Sequence, residues 1–355
     1  MTLALFGAWR ARGLHPAVMT LYDEPDELAA ELRDLGVAVY RAKIPGARLG
    51  RYPALVRETA RICREARPHA FLSMPFGWHA FMAMGARAAG VPVRVAHVGS
   101  YPPHWQGRSF WKFRVEVMLG RPFTTELVCC SRYVEDGVRE HFAGVHGPTS
   151  VVYNGVDIAG IAVRAAAARK ARPAGGPFRV GMVARLEHSK DHDTLVDAAA
   201  AASREVDIEL WLIGDGSRRG ELEAKASALG LGARVRFLGS RRDVPELLGQ
   251  LDAFAFSVKP DEGLGISLVE ALAARVPVVA TDVGGCREVL GVHAPASVVP
   301  YRDAPAMAAA LVALAKKGAA PERVDAGARR AAELFSVEAM AEGYARRLGL
   351  SSAAR

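Results

Sequence analysis

Two glutamates, Glu262 and Glu270, stand eight positions apart in the stretch DEGLGISLVEALAARVPVVATDVGG, which begins at Asp261. The pattern predicts that Glu262 lies in a loop and that Glu270 lies about one turn inside the following helix. With about 1.5 Å of rise per helical residue, the two carboxylates cannot share one metal ion comfortably. They are better placed to contact two parts of an extended ligand, and a carboxylate can accept hydrogen bonds from two vicinal hydroxyls such as those of ribose. Taken alone, Glu262 could also be a structural turn residue, and Glu270 could be a helix acid partly in solvent.

Two further features of the sequence could bind phosphate. The helix predicted from about Ile266 to Ala274, directly after Gly265, would offer free N–H groups beside flexible glycines, and helix starts of this kind bind anions. Arg185 and Lys190 stand five residues apart after a predicted strand. Arginine binds phosphate through a planar fork and lysine binds it as a compact charge, so the pair suits a diphosphate. Alone, the pair could also be two solvated surface cations.

The glycine-rich stretch LWLIGDGSRRG, with Gly214, Gly216 and Gly220, does not fit a dinucleotide-binding fingerprint. Its spacing is one residue too long, and it lies in the middle of its domain rather than after the first strand. We therefore predict an ordinary turn from strand to helix, and no nicotinamide, flavin or other cofactor.

The elements that would position these residues follow a regular pattern. Short apolar runs alternate with helical patterns, which predicts an α/β fold with parallel sheets. We expect strands at 37–40, 70–74, 91–98, 127–130, 178–183, 208–213, 235–238, 253–256, 278–281 and 297–299. Ligands of such sheets bind beyond the carboxyl ends of the strands.

The domain organisation is predicted from one break in this alternation. Residues 158–177 pass from alanines and basic residues into Pro-Ala-Gly-Gly-Pro, which indicates an interdomain linker. The linker would separate an N-terminal domain over 1–157 from a C-terminal domain over 178–335. A final helix within 336–355 is expected to pack back toward the first domain.

Composition limits the class of protein. The chain has 355 residues, which suits about two domains. Its net charge of +8 fits an anionic substrate or an anionic membrane surface, but also a merely arginine-rich composition. The four cysteines match no zinc spacing and are expected to be reduced core thiols of a cytosolic protein. We find no signal-peptide pattern and no apolar run of about 18 residues.

Five motifs, read in order, resemble the retaining glycosyltransferases of family 4, a large family with the GT-B fold. They are VVYNGVD, VARLEHSKDHDTLVDA, LIGDGSRRGELE, VRFLGSRRDVPELL and DEGLGISLVEALAARVPVVATDVGGCREVL. The spacing of the two glutamates is similar to the E-x7-E motif of that family. In the looser N-terminal half, RAAGVPVRVAHVGSYPP resembles bacterial exopolysaccharide members. The resemblance implies two facing Rossmann-like domains with parallel sheets and a cleft between them.

The resemblance also implies a role for each candidate residue. Arg185 and Lys190 match the pair that holds the donor diphosphate, assisted by the helix start at Gly265 and Ile266, with no metal. Glu270 matches the acid that binds the nucleotide ribose. The catalytic candidates, Glu262 and His97, match an acid and a histidine beside the donor sugar, although a lone histidine that ends an apolar strand is otherwise most often structural.

One departure from the family concerns the N-terminus. Met1 aligns within the first long helix of the family, so we expect that the first strand and its glycine-rich turn are lacking. Either the assigned start is wrong or this product is impaired.

The segment 101–123 alternates aromatic and basic residues, which suits a lipid headgroup interface or, alternatively, a core helix with exposed arginines. The first interpretation predicts a cytoplasmic protein in peripheral contact with an anionic membrane at the inner face of the cell membrane.

The function predicted from these features is retaining transfer of a hexose from a nucleotide-diphosphate donor to a saccharide or lipid-linked acceptor in surface polysaccharide or glycoconjugate synthesis. Nucleic acid is not expected as a partner. Two alternatives stay open: an inactive or impaired sugar-nucleotide-binding remnant, and another GT-B enzyme such as a nucleotide-sugar epimerase.

Overall fold

The computed structural model describes residues 2–22, 27–45, 48–74, 76–102, 107–292 and 298–350, with only the backbone for residues 48 and 49. The chain divides into two compact units. Unit 1 comprises Met1–Gly155 together with Val337–Arg355, and unit 2 comprises Val156–Ser336.

The described part of unit 1 contains six parallel strands in two sheets. Strands β1 and β2 pair with each other, and β3 to β6 pair in chain order. The strands are β1 (Ala17–Thr20), β2 (Ala38–Arg41), β3 (Ala70–Ser73), β4 (Val93–Val98), β5 (Glu126–Cys129) and β6 (Thr149–Val151). The helices are α1 (Thr2–Ala11), α2 (Glu27–Asp34), α3 (Arg48–Ala66), α4 (His79–Ala88), α5 (Arg108–Gly120), α6 (Arg132–His141) and α15 (Val337–Arg347). The expectation that a first strand is lacking stays a prediction.

The C-terminal helix α15 is part of the core of unit 1. Its buried residues Met340 and Tyr344 pack with Trp9 of α1 and with Val95 of β4. The indole Nε1 of Trp9 donates a hydrogen bond of 3.0 Å to the carbonyl oxygen of Ala341. Burial of large side chains stabilises this helix against the rest of unit 1, because each fully buried apolar side chain contributes about 1.5–3 kcal/mol.

The described residues of unit 2 form one parallel sheet with the strand order β12-β11-β10-β7-β8-β9. Its strands are β7 (Phe178–Val183), β8 (Ile208–Ile213), β9 (Val235–Gly239), β10 (Ala253–Phe256), β11 (Val278–Thr281) and β12 (Val298–Val299). Its helices are α7 (Ile158–Ala171), α8 (His192–Ala202), α9 (Arg219–Ala228), α10 (Val244–Gly249), α11 (Ile266–Ala273), α12 (Gly284–Leu290), α13 (Ala304–Lys317) and α14 (Pro321–Leu334). The chain adds strands on one side of β7 and then on the other, so the order reverses between β7 and β10. Ligands of open α/β sheets bind at such a reversal.

The prediction that residues 158–177 form a linker is wrong over most of that range. Residues Ile158–Ala171 form helix α7 within unit 2, and only the residues after it are irregular. Asp157 caps the helix by accepting a 2.9 Å hydrogen bond from the amide of Gly160. Alanine is the best helix former. Helix α10 approaches α7 so closely that a Cβ on Gly249 would lie 2.2 Å from the carbonyl oxygen of Ala165. The alanine-rich composition therefore builds a closely packed helix.

The four cysteines are buried thiols and none of them is part of a disulfide, as predicted. Within the described ranges, no helix is both long enough and apolar enough to cross a membrane.

Candidate functional site

The candidate site of unit 2 lies where two loops leave the carboxyl ends of β7 and β10. The backbone joins these loops directly, because Lys190 pairs with Val258 as an isolated β-bridge. The amide of Asp191 also donates a 3.2 Å hydrogen bond to the carbonyl oxygen of Ser257. This connection places the basic loop after β7 beside the acidic loop after β10.

Arg185 is exposed in the loop after β7, and a neighbouring glycine loop supports its backbone. Gly214 has φ of +145°, and a Cβ on it would lie 2.0 Å from the carbonyl oxygen of Ala184. A Cβ on Gly216 would lie 2.4 Å from the carbonyl oxygen of Leu186. Only glycine permits this close approach of two backbones. The glycine stretch is a strand-to-helix turn, as predicted, but it also holds the loop that carries Arg185.

A side chain of the loop after β7 also binds the glycine loop after β8. Glu187 accepts hydrogen bonds from the amide of Ser217 (2.9 Å) and from its hydroxyl (2.7 Å). These bonds hold the pKa of the exposed Glu187 carboxyl below its usual value, and the charge of Arg185 acts in the same direction. Among the residues that the structure describes, no hydrogen bond or ion pair engages the guanidinium of Arg185, so its donors face solvent.

Lys190 and Glu262 form an ion pair between the Nζ and Oε2 atoms. Their side chains are only 21% and 15% exposed, so the pair is partly desolvated. The ammonium group also lies 5.8 Å from the centre of the Phe256 ring. The two charges that the sequence assigns to different parts of a ligand therefore neutralise each other in this structure.

The start of helix α11 is built around Gly265. This residue has φ of +80°, and a Cβ on it would lie 2.7 Å from the Phe256 ring. Both observations require glycine, because the left-handed conformation and the close ring exclude other side chains. The N-cap residue of the helix that begins at Ile266 is Gly265, which has no side chain with which to cap it. Its first N–H groups and its dipole therefore favour an anion at this position.

Glu270 lies one turn inside α11 and is largely buried. Burial raises the pKa of its carboxyl to about 7. Within the described part of the chain, no hydrogen bond or ion pair satisfies this carboxyl group. A desolvated acceptor without a partner is costly, and a ligand that presents hydroxyl donors would relieve that cost.

The backbone of the Glu262 loop is fixed by a second close contact. A Cβ on Gly285 of α12 would lie 2.5 Å from the carbonyl oxygen of Glu262. The GG pair of the motif thus allows α12 to approach the loop closely and orient it.

His97 lies in unit 1, near the carboxyl end of β4, and is 6% exposed. Its Nδ1 atom is 2.7 Å from the hydroxyl oxygen of Tyr344. Burial lowers the pKa of its imidazole to about 4, so the ring is neutral near pH 7. The other predicted site residues, Arg185, Lys190, Glu262, Gly265, Ile266 and Glu270, all belong to unit 2.

Sequence reasoning overlooked the supporting residues Glu187, Ser217 and Tyr344. The G-x-G spacing was a usable signal for the first two, because closely spaced glycines mark a close backbone approach. No local pattern pointed to Tyr344. In the described residues, no group of three or more His, Cys, Asp or Glu side chains is arranged to hold a metal ion.

Family models match both units of the chain. The model described as Glycosyltransferase Family 4 matches residues 1–159, and the model described as Glycosyl transferases group 1 matches residues 177–317. Together they cover the two loops of the unit 2 site and the strand that carries His97.

Two relatives extend the similarity beyond single motifs. A protein of Bacillus subtilis (strain 168) named as glycosyltransferase EpsF is 31% identical over 282 residues, which is 74% of this chain and 70% of EpsF. The lipopolysaccharide core biosynthesis glycosyltransferase LpsD of Rhizobium meliloti (strain 1021) is 29% identical over 286 residues, which is 80% of this chain and 76% of LpsD.

A solved structure shares the fold. HepE (Alr3699) of Anabaena, determined in complex with UDP and glucose, superposes with a TM-score of 0.83 at 22% identity, covering 98% of this chain and 94% of HepE. The predicted fold class is confirmed as α/β GT-B, with two Rossmann-like halves and parallel sheets. The matched models and the extended relatives also show that the protein is an enzyme. The chain belongs to glycosyltransferase family 4, among the group 1 glycosyl transferases.

Proposed function

We propose that this glycosyltransferase transfers a hexosyl group, with retention, from a nucleoside-diphosphate donor to a saccharide or lipid-linked acceptor in surface polysaccharide synthesis. The single observation that carries the donor assignment is the pairing of Lys190 with Glu262 beside the uncapped start of α11. The UDP-glucose bound in a HepE structure and the lipopolysaccharide core biosynthesis in the name of LpsD support the two substrate classes.

The proposed roles follow from charge. The departing nucleoside diphosphate gains negative charge as the bond to the sugar breaks. Arg185 and Lys190 meet this charge with two cations, and the start of α11 adds roughly half an elementary charge. The diphosphate competes with Glu262 for the ammonium group of Lys190. Its binding therefore releases the Glu262 carboxylate toward the sugar, where positive charge develops.

Glu270 is proposed to accept hydrogen bonds from the ribose hydroxyls. Its buried carboxyl has both oxygens available to the vicinal pair, and ribose changes little during transfer. Loss of this contact should therefore raise the donor KM, whereas loss of Glu262 should lower kcat. Retention by attack on the same face of the sugar is implied by the family resemblance, and the anomeric configuration of the product, read by NMR, tests it.

Transfer should be tested with the full chain and a panel of UDP-, GDP- and ADP-hexoses, each with saccharide and lipid-linked acceptors. We expect turnover with one nucleotide and loss of binding of that nucleoside diphosphate in the Arg185→Ala/Lys190→Ala double variant. The control is Arg204→Ala, which removes an exposed arginine beyond the far end of α8. Unchanged nucleotide binding in the double variant would contradict the donor site.

Helix α5 is the proposed contact with an anionic membrane. Its residues Trp111, Val115, Met118 and Leu119 are between 42% and 63% exposed. Their spacing of 4, 7 and 8 residues places them on one face of the helix. Three exposed cations, Arg108, Lys112 and Arg121, stand along and at the end of this helix. An apolar face with basic residues beside it favours an anionic headgroup layer, which would bring a cytoplasmic enzyme to a lipid-linked acceptor.

Sedimentation with vesicles tests this contact. The protein should bind vesicles that contain phosphatidylglycerol more strongly than vesicles of phosphatidylcholine alone. Trp111→Ala/Leu119→Ala should weaken binding at least fivefold, because each substitution removes exposed apolar area that the headgroup layer would bury. The control Leu229→Ala changes an exposed leucine in unit 2 and should bind normally. Equal binding by all three proteins would reject α5 as the contact.

A further inference from the structure

His97 and Tyr344 form a buried polar pair that links a strand of unit 1 to its C-terminal helix. The two residues are 247 positions apart, and their side chains meet at 2.7 Å between Nδ1 and the phenol oxygen. Tyr344 is fully buried and His97 nearly so. Burial raises the pKa of the phenol above its usual value, so the phenol keeps its proton near neutral pH.

Either Nδ1 of His97 or the phenol oxygen of Tyr344 could be the donor in this hydrogen bond. If Nδ1–H donated to the phenol oxygen, the phenol proton would need a second acceptor. In the parts of the chain that the structure describes, the phenol has no other hydrogen-bond partner. An unpaired donor is more unfavourable on the fully buried phenol than on the imidazole, which is 6% exposed. The phenol O–H therefore donates to Nδ1, and the ring proton resides on Nε2.

The Nε2 edge of the ring faces Gly99. A Cβ on Gly99 would lie 3.1 Å from Nε2 and 3.6 Å from Cδ2 of His97. Gly99 has no positive φ that would itself require glycine. Among described residues, Nε2 has no hydrogen-bond partner. The glycine thus places no side-chain atom against the N–H edge of His97, a residue that is 6% exposed.

We propose that Tyr344 is a positioning residue that holds His97 as its Nε2–H tautomer, and that Gly99 keeps this N–H open to a hydroxyl oxygen of the donor sugar. The inference rests on the proposed function and on the family resemblance, which implies that His97 lies beside the donor sugar. It adds that the C-terminal helix controls the hydrogen-bonding direction of a residue on β4. A neutral Nε2–H donates a hydrogen bond to the sugar without adding a charge.

The tautomer can be measured directly by 15N NMR of the full chain labelled at histidine, with the His97 signals identified by their loss in His97→Gln. We expect the shift pattern of an Nε2–H imidazole in the native protein. Tyr344→Phe should remove the donor to Nδ1 and yield a mixture or the opposite tautomer. An Nδ1–H pattern in the native protein, or an unchanged pattern in Tyr344→Phe, would overturn the proposal.

Kinetics with the nucleotide sugar found in the panel give the second measurement. Tyr344→Phe should lower kcat about tenfold, the size of one hydrogen bond, with UDP affinity unchanged. Trp9→Phe is the matched control, because it removes another buried side-chain bond to the same helix without touching His97. It should lower the melting temperature but leave the tautomer and kcat unchanged. A tenfold loss of kcat in Trp9→Phe would show that general loosening of the helix explains the effect.

Gly99→Ala tests access to the ring separately. It should lower kcat at least tenfold while the tautomer stays Nε2–H, and full turnover in this variant would overturn the role of Gly99. Full turnover in His97→Gln would overturn the sugar contact itself. If no nucleotide sugar is turned over, the proposed function fails, while the tautomer still decides the role of Tyr344.

Discussion

Replacing Glu270 by glutamine should stabilise the protein and impair donor binding at the same time. The carboxyl of Glu270 is largely buried and lacks a partner among the described residues, so its charge is costly in the folded state. Glutamine has nearly the same shape but no charge to desolvate. The same substitution removes the charged acceptor that we assign to the ribose hydroxyls.

The magnitude follows from the pKa. Burial raises the pKa of Glu270 from 4.5 to about 7. Between these values the folded protein binds more protons than the unfolded chain, so stability falls as pH rises through this window. The full difference corresponds to about 3 kcal/mol, and partial exposure of the residue reduces it to roughly 1–2 kcal/mol. Glu270→Gln should regain this amount at pH 8 and almost none at pH 5.

Thermal unfolding and calorimetry together provide the assay. At pH 8, Glu270→Gln should raise the melting temperature by about 2–8 °C, and the gain should vanish near pH 5. Affinity for UDP should fall about 10- to 100-fold, the range for a charged hydrogen-bond acceptor.

Glu116 of α5 supplies a matched control for this experiment. It is buried in unit 1, and burial raises its pKa to about 7. Glu116→Gln should therefore stabilise the protein with a similar pH dependence while UDP affinity stays unchanged. If Glu270→Gln is less stable than the native protein at pH 8, or binds UDP normally, the reasoning about this carboxyl is refuted.

Three further results are expected. Glu262→Gln should free Lys190 for the diphosphate, so UDP affinity measured by calorimetry should rise about 3- to 10-fold, while turnover of the nucleotide sugar falls. Equal or weaker UDP binding would reject the competition between Glu262 and the diphosphate for Lys190. Turnover should persist in EDTA, because two cations and a helix start meet the diphosphate charge, and recovery by Mn²⁺ of activity lost in EDTA would speak against that assignment. Gly216→Ala should reduce UDP affinity at least tenfold, because its Cβ would lie 2.4 Å from the carbonyl oxygen of Leu186. Gly220→Ala is the control and should bind UDP normally, because a Cβ on Gly220 meets nothing within 4 Å. Equal affinities in the two variants would contradict the role of the glycine loop.

Local sequence determined the sheet of unit 2 and the start of its central helix. The strands Phe178–Val183, Ile208–Ile213, Ala253–Phe256 and Val278–Thr281 are as predicted, because buried parallel strands are short apolar runs between turn residues. Helix α11 begins at Ile266, as predicted, because a glycine before an apolar helical pattern marks the boundary. The roles of Glu262 and Glu270 stay predictions that rest on their spacing and on the family resemblance.

The linker shows where local reasoning failed. The Pro-Ala-Gly-Gly-Pro run does end regular structure, but the alanines before it were compatible with either a linker or a packed helix. Whether an alanine-rich segment stays a linker or becomes a packed helix depends on a partner surface. Here α10 provides that surface, and its Gly249 permits close approach to Ala165. Nothing within the segment itself specifies the partner.

Tertiary structure alone decided which side chains meet. The partners Lys190 and Glu262 are 72 positions apart, and His97 and Tyr344 are 247 apart. Periodicity and turn signals act over a few residues, so they cannot specify such pairs. The pairs form because parallel strands bring their carboxyl ends to one edge of the sheet, and because α15 packs into the core of unit 1. The sequence determined which chemical groups this protein has at its strand ends, and the packing of the sheets and helices decided which of them are charged, paired or open to a ligand.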